Sequence, residues 1–178
     1  EFQISMNVSP VQLNNRSKNV FQLWRESMFD LGLPGQAVVL EITEGLLLEQ
    51  RTIVTEQLLA FRDAGIQVAL DDFGTGYSSL SYLKKFDIDY LKIDKTFVSN
   101  LRPGSEDLAL CEAIIVMAHK LGIEVIAEGV ETGEQRDLLT AAGCDYAQGY
   151  LFAKPMAGES FKAHLLAAQT SPATKQLP

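Results

Sequence analysis

Seven polar side chains stand where short apolar runs stop. Asn7 follows Ile4-Ser5-Met6, Glu41 follows Ala37-Val38-Val39-Leu40, and the pair Asp71 and Asp72 follows Gln67-Val68-Ala69-Leu70. Lys92 follows Ile88-Asp89-Tyr90-Leu91, Glu128 follows Glu124-Val125-Ile126-Ala127, and Gln148 follows Cys144-Asp145-Tyr146-Ala147. Brought to one place, Glu41, Asp71, Asp72 and Glu128 would raise one another's pKa values unless cations compensated them. Oxygen donors from Glu41, Asp71, Asp72 and the amide of Asn7 suit Mg2+ or Mn2+, hard ions that prefer such ligands. With only two His and two Cys in the chain, structural zinc is disfavoured. Lys92 suits two roles, orienting an attacking hydroxide or neutralising transition-state charge; the plain alternative is a salt bridge to Asp94 or Glu128. Glu128 suits metal ligation or general-base work, Gly129 leaves it accessible, and Glu131 lies one step further out.

Neighbouring strand residues point to opposite faces. Asp71 and Asp72 therefore share a site only if the backbone turns after Asp71; otherwise one is a ligand and the other a surface or N-cap aspartate. The segment Phe73-Gly74-Thr75-Gly76-Tyr77-Ser78-Ser79-Leu80 combines two permissive glycines with hydroxyl side chains directly after the pair. It reads as a mobile functional loop over the site, or else as an ordinary connecting turn. Its Gly-x-Gly is a weak phosphate signal by itself.

The elements that must position these groups repeat one grammar: a helical pattern ends at Gly, a short apolar strand follows, and a polar residue closes it. Helical stretches are expected over Pro10 to Leu31 with a break, Thr43 to Ala64, Ser105 to Leu121, Thr132 to Ala142 and Gly158 to Ala168. Thr132 with Gln135 reads as a capping box, and Ser105 as a helix start. Trp24, Phe21, Leu23 and Phe29 suit the core face of a helix. His119 beside Lys120 suits a helix C-terminus, His164 is unremarkable, and Cys111 and Cys144 suit packing. Strands that alternate with helices and are apolar on both faces imply a parallel sheet covered by right-handed crossovers. Because all six strands end in a chemically active group, a closed β/α barrel explains the pattern better than an open doubly wound sheet.

The chain has 178 residues, 47% hydrophobic and 21% charged, the composition of a soluble globular protein. Fifteen Lys and Arg against 23 Asp and Glu leave a net charge of −8, which disfavours duplex nucleic acid. A small phosphorylated ligand remains compatible, because clustered carboxylates holding divalent cations invert the local field. The cysteines lack a CxxC spacing, which fits a reducing compartment. No signal peptide opens the chain and no initiator Met is present, so an excised segment is expected.

Five motifs in this order resemble the EAL domain family: Glu41-Ile42-Thr43-Glu44, Asp71-Asp72-Phe73-Gly74-Thr75-Gly76-Tyr77-Ser78-Ser79-Leu80, Leu91-Lys92-Ile93-Asp94, Ala127-Glu128-Gly129-Val130-Glu131 and Gln148-Gly149-Tyr150-Leu151-Phe152. Asn7-Val8-Ser9 and Lys154-Pro155 join them, and the resemblance runs from about Ile4 to about Leu166. It implies a bacterial phosphodiesterase that opens cyclic di-GMP into linear pGpG at a two-ion Mg2+ or Mn2+ site. Residue by residue, it implies Asn7, Glu41 and Asp71 as ligands of the first ion and Asp71 and Asp72 as ligands of the second. Lys92 would hold the nucleophilic water, and Glu128 would be the general base or a partner of the second ion. Glu44 resembles the glutamate that anchors the glycine-containing loop. Gly74, Thr75, Gly76, Gln148, Glu131 and Pro155 join it as substrate-binding or loop-positioning residues.

One departure from the family pattern is plain: the Glu-Ala-Leu triplet, whose glutamate is a first-ion ligand, is missing, and so is the arginine that follows it. Motif order puts Asn7 on the third strand of a (β/α)8 TIM-like barrel. The expectation is six of eight βα units, with the two N-terminal strands absent, a truncated phosphodiesterase domain over residues 1–169 and a tail over residues 170–178. About 30 residues per unit agrees with that count. The competing expectations are a non-catalytic receptor for cyclic di-GMP, a piece inactive for want of its Glu-Ala-Leu strand, and an unrelated barrel enzyme with a lysine base acting on an enolisable substrate. Expected partners are cyclic di-GMP, a second copy in a homodimer through the barrel, and upstream sensory or GGDEF-type domains. The expected location is the cytoplasm, or the cytoplasmic part of a membrane-anchored parent.

Overall fold

Six strands make one sheet in which each strand lies parallel to the next, in chain order, in the computed structural model of this protein, which describes residues 3–14, 20–48, 52–74, 83 and 86–170. They are β1 (Ile4–Asn7), β2 (Val38–Thr43), β3 (Gln67–Phe73), β4 (Tyr90–Ile93), β5 (Glu124–Ala127) and β6 (Tyr146–Ala147). The described helices are α1 (Pro10–Asn14), α2 (Val20–Asp30), α3 (Glu44–Leu48), α4 (Thr52–Asp63), α5 (Lys95–Val98), α6 (Glu106–Lys120), α7 (Gly133–Ala141) and α8 (Gly158–Thr170). Parallel neighbours joined by helical crossovers form a curled α/β wall of the TIM-barrel type, as the repeated grammar predicts. Among the described residues, no helix is long and apolar enough to cross a membrane.

Period-2 alternation sorts each strand into two faces. Leu40, Ile42, Val68, Leu70, Leu91, Ile93, Val125 and Ala127 belong to the main core under the helices. Val39, Ala69, Tyr90 and Ile126, one residue out of phase, form a separate cluster on the inner face. Two residues further along each strand, that inner phase reaches Glu41, Asp71, Lys92 and Glu128. The central strands β2, β3 and β4 are thus buried on both sides for most of their length, while β1 and β6 at the edges are largely exposed, and the inner row changes from apolar to ionisable at the C-terminal end.

Cap chemistry starts two helices where the sequence suggests. Ser105 accepts from the Leu108 amide at 3.2 Å, and Thr132 and Gln135 close a reciprocal capping box. Two aspartates tie the lower ends of adjacent strands together: Asp89 accepts from Val68 N and Asp145 from Val125 N, both at 2.8 Å. His119, in the last turn of α6, brings Nε2 to 2.8 Å from Asp145 and so latches the helix to the sheet.

Some boundaries differ from expectation. Thr43 is the last residue of β2, not the first of a helix, because the strand continues in register with Asp71. Only Tyr146 and Ala147 pair in the sixth strand, so Cys144 and Asp145 precede it. Thr170 ends α8 and does not begin the tail; residues 171–178 lie outside the described residues. Leu23 and Phe29 were expected in the core, yet they are 58% and 84% exposed. The α2 stripe that packs is Trp24 and Met28, four apart, with the Trp24 ring 6.4 Å from that of Phe61, and Leu23 and Phe29 flank it one step around the helix. The Phe21 side chain lies outside the described residues.

Candidate active site

The ionisable row assembles at the C-terminal strand ends. Asn7 stands opposite Glu41 in the β1–β2 register, and β4 carries Lys92 between β3 and β5. The β3–β4 pairing then slips. Leu70 pairs with Leu91 and Phe73 with Ile93, so β3 advances 73 − 70 = 3 residues while β4 advances 93 − 91 = 2. The extra residue is a β-bulge that sets both Asp71 and Asp72 opposite Lys92. Asp72 adopts φ 57°, the left-handed conformation that few non-glycine residues take, and its amide donates to Asp71 Oδ1 at 3.1 Å. The turn required to bring both carboxylates to one site is therefore present. Oxygens of Asp71, Asp72 and Glu128 lie within 4.8 Å of one another.

Lys92 is the hub. Its ammonium, on a side chain only 3% exposed, lies 2.6 Å from Glu128 Oε1, 2.9 Å from Glu41 Oε1 and 3.0 Å from Asp71 Oδ1. Burial pulls its pKa down, but hydrogen bonds to Glu128, Glu41 and Asp71 outweigh that and hold it well above the ordinary lysine value. Asp94, the other partner considered from sequence, is engaged elsewhere: it caps α5 by accepting from Thr96 N at 2.9 Å. Burial raises the pKa of Glu128, Lys92 lowers it, and Asp71 and Glu41 add to the rise. Asp72 is raised too, by burial first and then by Asp71 and Asp94.

Gln148 reaches this cluster by donating from Nε2 to Glu128 Oε1 at 2.6 Å. The remaining expected residues are more dispersed. Both carboxylate oxygens of Glu44 are buried without a hydrogen-bond partner among the described residues. A buried carboxylate in that condition needs a donor or a cation. Gly74 has φ 96°, and a Cβ there would come within 3.0 Å of the Phe97 ring. Thr75 and Gly76 lie outside the described residues, as do Tyr77 to Leu80. Glu131 is exposed and its amide donates to Gln135 Oε1 at 2.8 Å, while Pro155 is exposed beyond β6.

Sequence reasoning missed the support around Glu128. Val130 N donates to Gln148 O and Leu151 N to Val130 O, both at 3.0 Å, clasping the chain after β6 to the chain after β5. A Cβ on Gly149 would run into the backbone O and N of Val130. The only sequence signal was a glycine next to Gln148. Gln135, buried, reaches Val98 O at 3.2 Å and so ties the turn after Glu128 to α5, a link visible in the sequence only as a capping box. Gly149→Ala should pry the clasp open and move Gln148 from Glu128. The expected cost is about 1–3 kcal/mol, as for other overpacked sites, read from the urea midpoint. An unchanged midpoint would mean that Val130 gives way freely.

A parallel β/α barrel wall whose C-terminal mouth holds carboxylates around one buried lysine defines a class of metal-ion-compatible barrel sites. The family model of the EAL domain matches residues 1–155, and the chain belongs to the EAL domain family. The cyclic di-GMP phosphodiesterase RocR of Pseudomonas aeruginosa is 39% identical over 160 residues, 89% of this chain and 40% of that protein. The PaMucR phosphodiesterase, solved as a c-di-GMP complex, has a TM-score of 0.82 at 34% identity over 89% of this chain and 70% of that one. BlrP1 of Klebsiella pneumoniae, solved with manganese and cyclic di-GMP at pH 9.0, has a TM-score of 0.77 at 34% identity over 86% of this chain and 39% of that one. The chain spans 20%, 18% and 21% of the length of the first curated relatives that it matches.

Proposed function

We propose that this chain carries a phosphodiesterase site that hydrolyses cyclic di-GMP to linear pGpG. The observation that carries this reading is the Lys92 ammonium held within 3.0 Å of Glu41, Asp71 and Glu128 at the barrel mouth. The all-oxygen donor set and the orphaned Glu44 carboxylate suit hard cations. Asn7, Glu41, Asp71 and Asp72 would hold two Mg2+ or Mn2+ ions, which acidify water and offset charge on the attacking and leaving oxygens.

The chain's own groups do the rest. Glu128, with its raised pKa, accepts the proton of the attacking water, and Gln148 fixes its carboxylate. Lys92 balances negative charge building on the phosphoryl oxygens. Water oxygen bonds to phosphorus as the bond to the ribose 3′-oxygen breaks. The 3′-oxygen takes up a proton, which balances the one given to Glu128, and the 5′-phosphate of pGpG remains.

Chromatographic detection of pGpG from cyclic di-GMP with Mn2+ or Mg2+ is the direct test. The competing reading is binding without turnover. Calorimetric binding with no pGpG would support that reading over hydrolysis, and the absence of both would reject the two together.

The cluster also predicts a pH-dependent response to metal. The raised pKa values of Asp72 and Glu128 mean that their contribution is most favourable below the unfolded carboxylate values and is lost as pH climbs through the folded ones. Divalent ions bind the ionised forms and remove this penalty. At about 100 times its Kd, Mn2+ should raise Tm by roughly 5–10 °C near neutral pH. The shift should shrink sharply near pH ~4 in scanning calorimetry; equal shifts at both pH values would place the ion elsewhere.

A further inference from the structure

One buried amide joins the two chain segments that leave the barrel mouth beside Lys92 and Glu128. Lys92 stands on β4, whose chain continues through Asp94 into α5, and Glu128 directly follows β5, whose chain continues through Gly129 to Thr132 into α7. Gln135, in the first turn of α7 and 8% exposed, lies between them. Its Oε1 accepts from Glu131 N at 2.8 Å and from Thr132 N at 3.0 Å. Its Nε2 donates to Val98 O at 3.2 Å and to Ser99 O at 3.4 Å. The bonds to Oε1 belong to the capping of α7, but those from Nε2 have no part in that motif. They cap carbonyls at the C-terminal end of α5, a helix of four residues that is too short to hold itself.

The loop after Glu128 is fixed on its other sides as well. Glu128 N donates to Ile93 O at 3.1 Å and Val130 N to Gln148 O at 3.0 Å, and a Cβ on Gly129 would sit 2.6 Å from Lys95 Cβ. The chain therefore runs directly across the first turn of α5, and a shift of that helix passes to the residue next to Glu128. Close-packed interiors transmit such strain and do not absorb it. Glu128 has little room for it, since its Oε1 lies 2.6 Å from both Lys92 Nζ and Gln148 Nε2. A misplacement of about 1 Å at a reacting group can cost about 10²-fold in rate. We infer that Gln135 is a positioning residue for the hydrolysis, its amide bridging the segments after β4 and β5 and so setting the separation of Lys92 and Glu128. This rests on the reading that the site hydrolyses a cyclic dinucleotide, and it adds to it a residue that acts only through that pair.

The test compares steady-state kinetics on cyclic di-GMP with Mn2+, and residue-level amide hydrogen exchange, in variants of the full chain. Gln135→Glu keeps an acceptor for Glu131 N and Thr132 N but loses both donors to α5, and at mildly alkaline pH those two amides hold the new carboxylate ionised. Gln135→Met loses both sets of bonds. Thr132→Ala removes the hydroxyl that accepts from Gln135 N at 3.2 Å, which should lower Tm by roughly 2–6 °C with the bridge left in place. Both Gln135 variants should lose about 10- to 100-fold in kcat with KM within about threefold, and the Glu128 and Val130 amides should exchange about tenfold faster. Thr132→Ala should change each of these by no more than about twofold, which separates lost stability from a lost bridge. Should Gln135→Met fail to fold, Gln135→Glu, which retains the cap, carries the comparison. A kcat in Gln135→Glu within about twofold of the parent, a loss confined to KM, unchanged exchange at Glu128 and Val130, or an equal loss of kcat in Thr132→Ala would each overturn the inference alone. No pGpG from the parent chain would overturn the underlying reading and the inference with it.

Discussion

Lys92→Met should destabilise the chain by about 3–5 kcal/mol near neutral pH, the usual consequence of removing one partner from a buried ionic cluster. Methionine preserves most of the stem but leaves Glu41, Asp71 and Glu128 without the cation now 2.9, 3.0 and 2.6 Å away. All three carboxylates are less than a fifth exposed, so water screens little of the repulsion. The sign with pH is definite. Without the ammonium the ionised carboxylates repel one another unopposed, so the destabilisation is greatest near and above neutral pH and fades in acid. Lys92 itself, with a pKa held above the ordinary value, supplies its stability below the unfolded lysine value and loses it only at strongly alkaline pH. Urea titrations near pH ~7 and pH ~4.5 read the difference, and Mn2+ should restore part of the loss at the higher pH. A variant as stable as the parent near neutrality would mean that the cluster is held by something other than Lys92. Lys92→Arg should not rescue it, because a planar fork does not match three carboxylates converging on one point.

Turnover in Glu128→Gln should fall by roughly 10²–10⁴-fold, the range associated with loss of a general base. Folding should survive. Glutamine keeps a side-chain oxygen able to accept from Lys92 Nζ and Gln148 Nε2, each now 2.6 Å from Glu128 Oε1. It also removes one member of a mutually repelling set, so Tm without metal should stay level or rise slightly. The parent's rate should decline as pH falls through the raised Glu128 pKa, and that acidic limb should vanish from the residual activity of the variant. Full activity with an unchanged pH profile would remove Glu128 from proton transfer and leave it as a ligand or a structural partner of Lys92.

Much of the scaffold can be read from local pattern. The polar residue closing each apolar run lies in the C-terminal half of its strand or directly after it, and Ser105 and the Thr132–Gln135 pair cap helices where expected. Those signals are local: they depend on the pleat and on backbone donors within about one helical turn. The Leu23 and Phe29 assignment fails for a reason that is not local. Both have helix-compatible spacing, yet which stripe of α2 meets α4 is decided by the Trp24–Phe61 contact across 37 residues.

What the sequence by itself determined is the set of chemical groups and their order: Asn7, Glu41, Asp71, Asp72, Lys92, Glu128 and Gln148, each towards the C-terminal end of a strand, or just beyond it, in a repeated β/α unit. The tertiary structure decided how those groups meet. The extra residue in β3 that turns both Asp71 and Asp72 toward Lys92, the three carboxylates around that lysine, and the clasp of Gly149 on Val130 all depend on register between strands distant in the chain. Register is set by backbone hydrogen bonds and by packing under the helices, and a shift of one residue would exchange the ionisable row for the apolar one.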